Sequence, residues 1–165
     1  MLDFPLAYHI TFGTYGTRLH GDERGTVDRG MNQPGDPIIG ADEQWERMER
    51  KLLKFEPRIF TTDQMVAVES FIPSICNRGE WKLHVCAAGP DHVHNVLTAN
   101  ADGDAVRKWL KRWLGQALAE TIPLQPGETF WAECGSVKYV WTDDYLRLAI
   151  DYVHRQRATE RHLRI

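Results

Sequence analysis

The order of hydrophobic patterns predicts an α+β fold: a ferredoxin-like βαββαβ core with an antiparallel sheet, a long N-terminal loop insertion and an extra C-terminal helix. Three observations carry this expectation. Short runs rich in β-branched and aromatic residues occur at 7–12, 81–89, 92–99 and 136–141. Between them, apolar residues recur at three- and four-residue spacing, the period of amphipathic helices. The two middle runs are separated only by Gly89-Pro90-Asp91, which makes them a hairpin. Strand, helix, strand, strand, helix, strand is the order of the split βαβ arrangement.

The first strand is AYHITF, residues 7–12. Residues 13–40 are crowded with Gly, Pro, Asp and Asn and read as irregular loop, long enough to be either functional or disordered. In 42–54, Trp45, Met48 and Leu52 stand at helical spacing. Thr61-Thr62-Asp63 can cap a helix over 64–77 with Met65, Val68, Ile72 and Ile75 on one side; Pro73 is expected to kink it or end it early. After the hairpin, Asp102 or Asp104 caps a helix over 105–120 whose apolar stripe is Val106, Leu110, Trp113, Leu114 and Ala117. A strand over 136–141 leads into Thr142-Asp143-Asp144, which cap a last helix over 143–157 with Leu146, Ala149, Ile150 and Val153 apolar.

A chain of 165 residues fits one domain, residues 1–165, with a single core. Its 42% hydrophobic and 26% charged residues are ordinary for a water-soluble globular protein. No apolar run approaches the ~20 residues that span a bilayer. The start, MLDFPLAYHITF, lacks the features of a signal peptide. A cytoplasmic protein without a membrane partner is therefore expected. Cys76, Cys86 and Cys134 are odd in number, widely spaced and form no C-x-x-C pair, which argues against a disulfide framework or a thiolate zinc site. The net charge of −3 divides unevenly: residues 1–50 sum to −4 and residues 105–165 to +3, so a local basic face is compatible with an acidic whole.

Two spacings point to chemistry. His92-Val93-His94 lies on a strand, where residues two apart project from the same face about 6.5–7 Å apart and can converge on one metal ion. Tyr152 and Gln156 are four apart on the last helix, so phenol and amide stand side by side, flanking the buried stripe. Each spacing alone is also what a core histidine pair or a surface tyrosine would give.

Taken together, AYHITFGTYGT, GPDHVH and DYVHRQ make the chain resemble the single-tyrosine HUH transposases, the insertion-sequence-200-type and REP-associated tyrosine enzymes. The resemblance implies that His92, His94 and Gln156 bind a metal ion and that Tyr152 is the nucleophile. The expected activity is metal-dependent cleavage and rejoining of single-stranded DNA, at hairpin-flanked sites, through a 5′-phosphotyrosine. It also implies a homodimer, in which the tyrosine helix can serve either chain. A neutral N,N,O ligand set that leaves open positions suits Mg²⁺ or Mn²⁺. Arg107, Lys108, Lys111, Arg112 and Lys138 are candidates for phosphate contacts, with a solvated helix face as the alternative for the first four. Trp131, Tyr139 and Trp141 are candidates either for stacking on bases or for the core. His9, His20, His84, His154 and His162 carry no assigned role. Two other functions fit the same residues: a domesticated hairpin-DNA-binding protein that no longer cuts, and a metal-dependent phosphoesterase that does not need Tyr152.

Overall fold

Alternation along the first strand divides the molecule into two layers. In the computed structural model, which describes residues 3–19, 40 and 42–162, strand β1 spans Ala7–Gly13. Its Tyr8, Ile10 and Phe12 belong to one hydrophobic cluster and Ala7 to another, so His9 and Thr11 share the face of Ala7. The elements then follow as α1 (Glu43–Leu52), α2 (Thr62–Arg78), β2 (Lys82–Ala88), β3 (His92–Thr98), α3 (Gly103–Ala119), β4 (Ser136–Val140) and α4 (Asp143–His162). The four strands form one sheet in the order β2-β3-β1-β4, every pair antiparallel. That is the α+β, ferredoxin-like order expected from the sequence.

The larger cluster fills the space between the sheet and α2 with α3. It includes Phe12, Phe60, Val68, Ile72, Val93, Leu97, Leu110, Leu114 and Leu118. The smaller one lies under α4, where Ala149 and Val153 pack on Ala7, Val85, Ala87, Val96 and Val140. Cys76 and Cys86 are buried and reduced, and Cys134 is half-buried. Gly103 lets α3 begin directly on the sheet: a Cβ there would stand 2.7 Å from Val137 Cγ1 and 2.9 Å from the Tyr8 ring. No helix among the described residues is long and apolar enough to cross a membrane.

Several sequence expectations are altered. Pro73 does not end α2, since the helix runs 17 residues through it. Thr61 is the N-cap, with Gln64 completing a reciprocal capping box. Helix α1 forms on an Asp42 cap, yet buries none of its residues; Met48 and Leu52 are 61% and 79% exposed. The loop expected over 13–40 is ordered at its start. Gly13 O accepts from Ala132 N, Thr14 N donates to Asp91 O, and Tyr15 N donates to Phe130 O. Most of it, residues 20–39, lies outside the described residues, as do His20 and any role for that stretch.

Candidate active site

The pairing of β1 with β3 sets Thr11 opposite His94 and Gly13 opposite His92. His92 and His94 project from the same face, as strand alternation requires, with ring centroids 4.9 Å apart and planes at 82°. His92 Nδ1 lies 2.7 Å from Asp91 Oδ1. Its ring crosses the hairpin turn over Gly89, where a Cβ would come within 2.9 Å of His92 Cε1. His94 is 7% exposed. Its Nδ1 stands 2.9 Å from Thr11 Oγ1 and 3.2 Å from His9 Nε2.

Helix α4 crosses this face because Ala149 and Val153 are its apolar contact. Tyr152 therefore emerges beside the contact rather than within it, 41% exposed. Its ring meets that of His94 edge-on at 5.6 Å and that of His9 at 5.8 Å. Gln156, one turn further, is half-buried on the same side of the helix. The helix is pinned beyond it. Arg157 Nη2 donates to Cys86 O, and Arg157 Nε lies 3.4 Å from Glu69 Oε1, which also accepts from Ala88 N. One chain thus brings Tyr152 over its own histidines.

Burial is the main force on the imidazoles. It pushes His94 down to about 3, helped by His92, His9, Lys138 and Arg18, and His9 down to about 4, helped by Lys138. Both are neutral at pH 7, the state in which an imidazole nitrogen can bind a metal ion. Among the described residues, no group of three or more His, Cys, Asp or Glu side chains is placed to hold a metal ion. The half-buried amide of Gln156 lies on the same side of α4 as Tyr152.

The basic residues singled out in sequence do not form one face. Arg107 is 7% exposed, donates to Gly135 O at 3.3 Å and pairs with Asp104 at 3.2 Å. Lys111 Nζ donates to Ala132 O at 2.7 Å and Cys134 O at 2.8 Å, and burial, then Arg107, lowers it to about 8. These two tie α3 to the segment before β4, which corrects their reading as phosphate contacts. Lys108 and Arg112 are exposed on α3, across the sheet from the histidines. Lys138 is exposed and pairs with His9 across β1 and β4, so it shares the histidine face. Trp131 is core, while Tyr139 and Trp141 are 46% and 53% exposed. The sequence reading missed His9, Thr11, Asp91 and Arg18. His9 and Thr11 sit two apart on a strand, but only the β1–β3 register reveals that they face His94.

Neither a protein-family model nor a curated protein matches the chain by sequence. Among solved structures, it is similar to the crystal structure of a "putative transposase" from Deinococcus radiodurans R1, with a TM-score of 0.54, 15% identity, and 94% of each chain covered. At that identity the likeness is one of fold, and it extends over nearly the whole length of both chains.

Proposed function

We propose that the protein is a transposase-like enzyme that cuts and rejoins single-stranded DNA, with the Tyr152 oxygen as nucleophile. The observation that carries this is the tyrosine ring standing 5.6 Å from the buried His94 ring, in a chain whose fold is that of the Deinococcus protein. A nucleophile half in solvent above a pair of neutral imidazoles is open to a long, flexible, anionic substrate. A small closed pocket would suit a small phosphoester instead.

In this proposal His92, His94 and Gln156 hold Mg²⁺ or Mn²⁺. Their donor set fits: Nδ1 of each histidine is engaged by the protein, so each would offer Nε2. The bound ion would supply Lewis-acid stabilisation of charge on the scissile phosphate. The chain does the rest. Tyr152 Oη attacks phosphorus, the DNA 3′-oxygen leaves and takes up a proton, and the phenol proton passes to solvent. The resulting 5′-phosphotyrosine keeps the phosphodiester bond energy, so attack by another 3′-hydroxyl rejoins the strand without a nucleotide cofactor. Arg18 and Lys138, both exposed and both acting electrostatically on His94, draw the DNA backbone to this face. Tyr152 stands beside His94 of its own chain, which supports a site served by its own tyrosine, so a homodimer need not exchange its tyrosine helices.

The test is incubation with hairpin-bearing single-stranded oligonucleotides and Mn²⁺, followed by a denaturing gel. A protein–DNA band is expected from the wild type and none from Tyr152→Phe, with Mn²⁺ binding intact in the variant. Hydrolysis retained by Tyr152→Phe would instead indicate the phosphoesterase, and DNA binding without cleavage by either protein the non-cutting binder.

A further inference from the structure

Three polar atoms meet beside the site where the strands β1 and β3 pair: Thr11 Oγ1, His9 Nε2 and His94 Nδ1. Thr11 Oγ1 is 2.9 Å from His94 Nδ1 and 3.5 Å from His9 Nε2, and the two imidazole nitrogens are 3.2 Å apart. His9 and His94 are 6% and 7% exposed, so their nitrogens depend on one another and on Thr11 rather than on bulk water.

A neutral imidazole carries one N–H and one lone pair, and the partner of one nitrogen decides the character of the other. Two kinds of arrangement satisfy this cluster, according to which His94 nitrogen carries the proton. In the first, His94 Nδ1–H donates to Thr11 Oγ1, and the Thr11 hydroxyl turns its own proton toward His9 Nε2. In the second, His94 Nδ1 accepts, from the Thr11 hydroxyl or from His9 Nε2–H, which puts the His94 proton on Nε2. Only the first leaves a lone pair on His94 Nε2. Thr11 Oγ1 is the nearer partner of His94 Nδ1, so the direction of this hydroxyl sets the tautomer, and the first arrangement is the one a ligating Nε2 requires. The backbone does not require threonine there: valine would fill the same strand position, so the hydroxyl is the informative part.

We infer that Thr11 and His9 are positioning residues, a hydroxyl–imidazole relay that fixes His94 in the Nδ1–H tautomer and keeps its Nε2 ready to ligate a cation. The inference deepens the proposed function and rests on His94 being a metal ligand. It assigns the N-terminal strand a part in the site, through His94 and without contact to DNA.

Long-range ¹⁵N NMR of the metal-free protein reads the tautomer directly, and titration with Mn²⁺ alone, followed by the loss of the free-ion EPR signal, reads affinity. The wild type is expected to show the His94 proton on Nδ1. Thr11→Val, nearly the same shape, should weaken Mn²⁺ binding on the order of 10- to 100-fold, the usual effect of removing an outer partner of a ligating histidine. Its melting temperature without metal should stay near that of the wild type, and Thr11→Ser should restore binding. His9→Gln, whose amide oxygen can accept where Nε2 did, should bind better than His9→Leu. A wild-type proton on His94 Nε2, or Thr11→Val binding Mn²⁺ as the wild type does, overturns the relay. If the wild type binds no Mn²⁺ at all, the metal centre fails as proposed, while the tautomer measurement still decides the relay.

Discussion

Burying His9 and His94 as neutral rings ties the stability of the protein to pH at the level of single residues. Each ordinarily takes up a proton near pH 6.5; the folded protein delays this to about 4 for His9 and about 3 for His94. Below pH 6.5 the unfolded chain therefore binds protons that the folded chain refuses. The stability from neutral burial is complete above 6.5, falls as the pH drops toward 4, and goes on falling toward 3 for His94. Each such proton contributes a slope of about 1.4 kcal/mol per pH unit inside its window. Urea midpoints taken from pH 7.5 to 4.5 should decrease, and His9→Leu should flatten part of the decline. A wild-type midpoint unchanged over that range would mean that the rings are not buried neutral. Sequence could nominate His92, His94, Tyr152 and Gln156, because two and four are the repeats of strand and helix faces. It could not separate Arg107 and Lys111 from Lys108 and Arg112, since whether a cation on α3 meets solvent or a carbonyl is decided by the segment before β4.

At the scale of elements, α2 shows how a helix carries an internal proline. Pro73 has no N–H, so the carbonyl of Glu69 four residues earlier loses its helical donor. That carbonyl is met instead by Cys86 Sγ of β2 at 3.9 Å, a weak replacement. Pro73 is exposed on the surface of α2. Pro73→Ala should therefore restore the helical bond and raise stability by about 1–2 kcal/mol, the helix-interior cost of proline less the entropy it removes from the unfolded chain. Thermal or urea unfolding measures this; a loss of stability would show that α2 depends on the interruption. The same helix marks what sequence could tell. Its start was legible from Thr61, and the hairpin from Gly89-Pro90-Asp91, because caps and turns are local chemistry. Its passage through Pro73 was not, since support from β2 is tertiary. In α1, helical spacing of Trp45, Met48 and Leu52 marked the helix correctly, but spacing does not say whether anything covers the apolar side.

Across the whole molecule, the sheet separates two tasks. One face, under α2 and α3, holds the main core; the other, under α4, holds a thin apolar strip with the histidines and Tyr152 at its margin. Strand types and order were readable from pattern, and they lead to the β2-β3-β1-β4 sheet because split βαβ units connect in few ways. Register was not readable, and it is register that brings Thr11 to His94. The thick layer also contains two of the three cysteines, whose burial pushes Cys76 up to about 12 and Cys86 up to about 11. Only thiolates react with alkylating reagents, so at pH 8 both sulfurs are silent while the protein stays folded. Half-buried Cys134 is the handle that a reagent should find at once. Mass spectrometry of a timed iodoacetamide pulse should thus record one fast adduct and two slow ones, the slow pair appearing together as urea is added. The chain carries its own clock for how often the layer between sheet and helices comes apart, and no label needs to be engineered to read it.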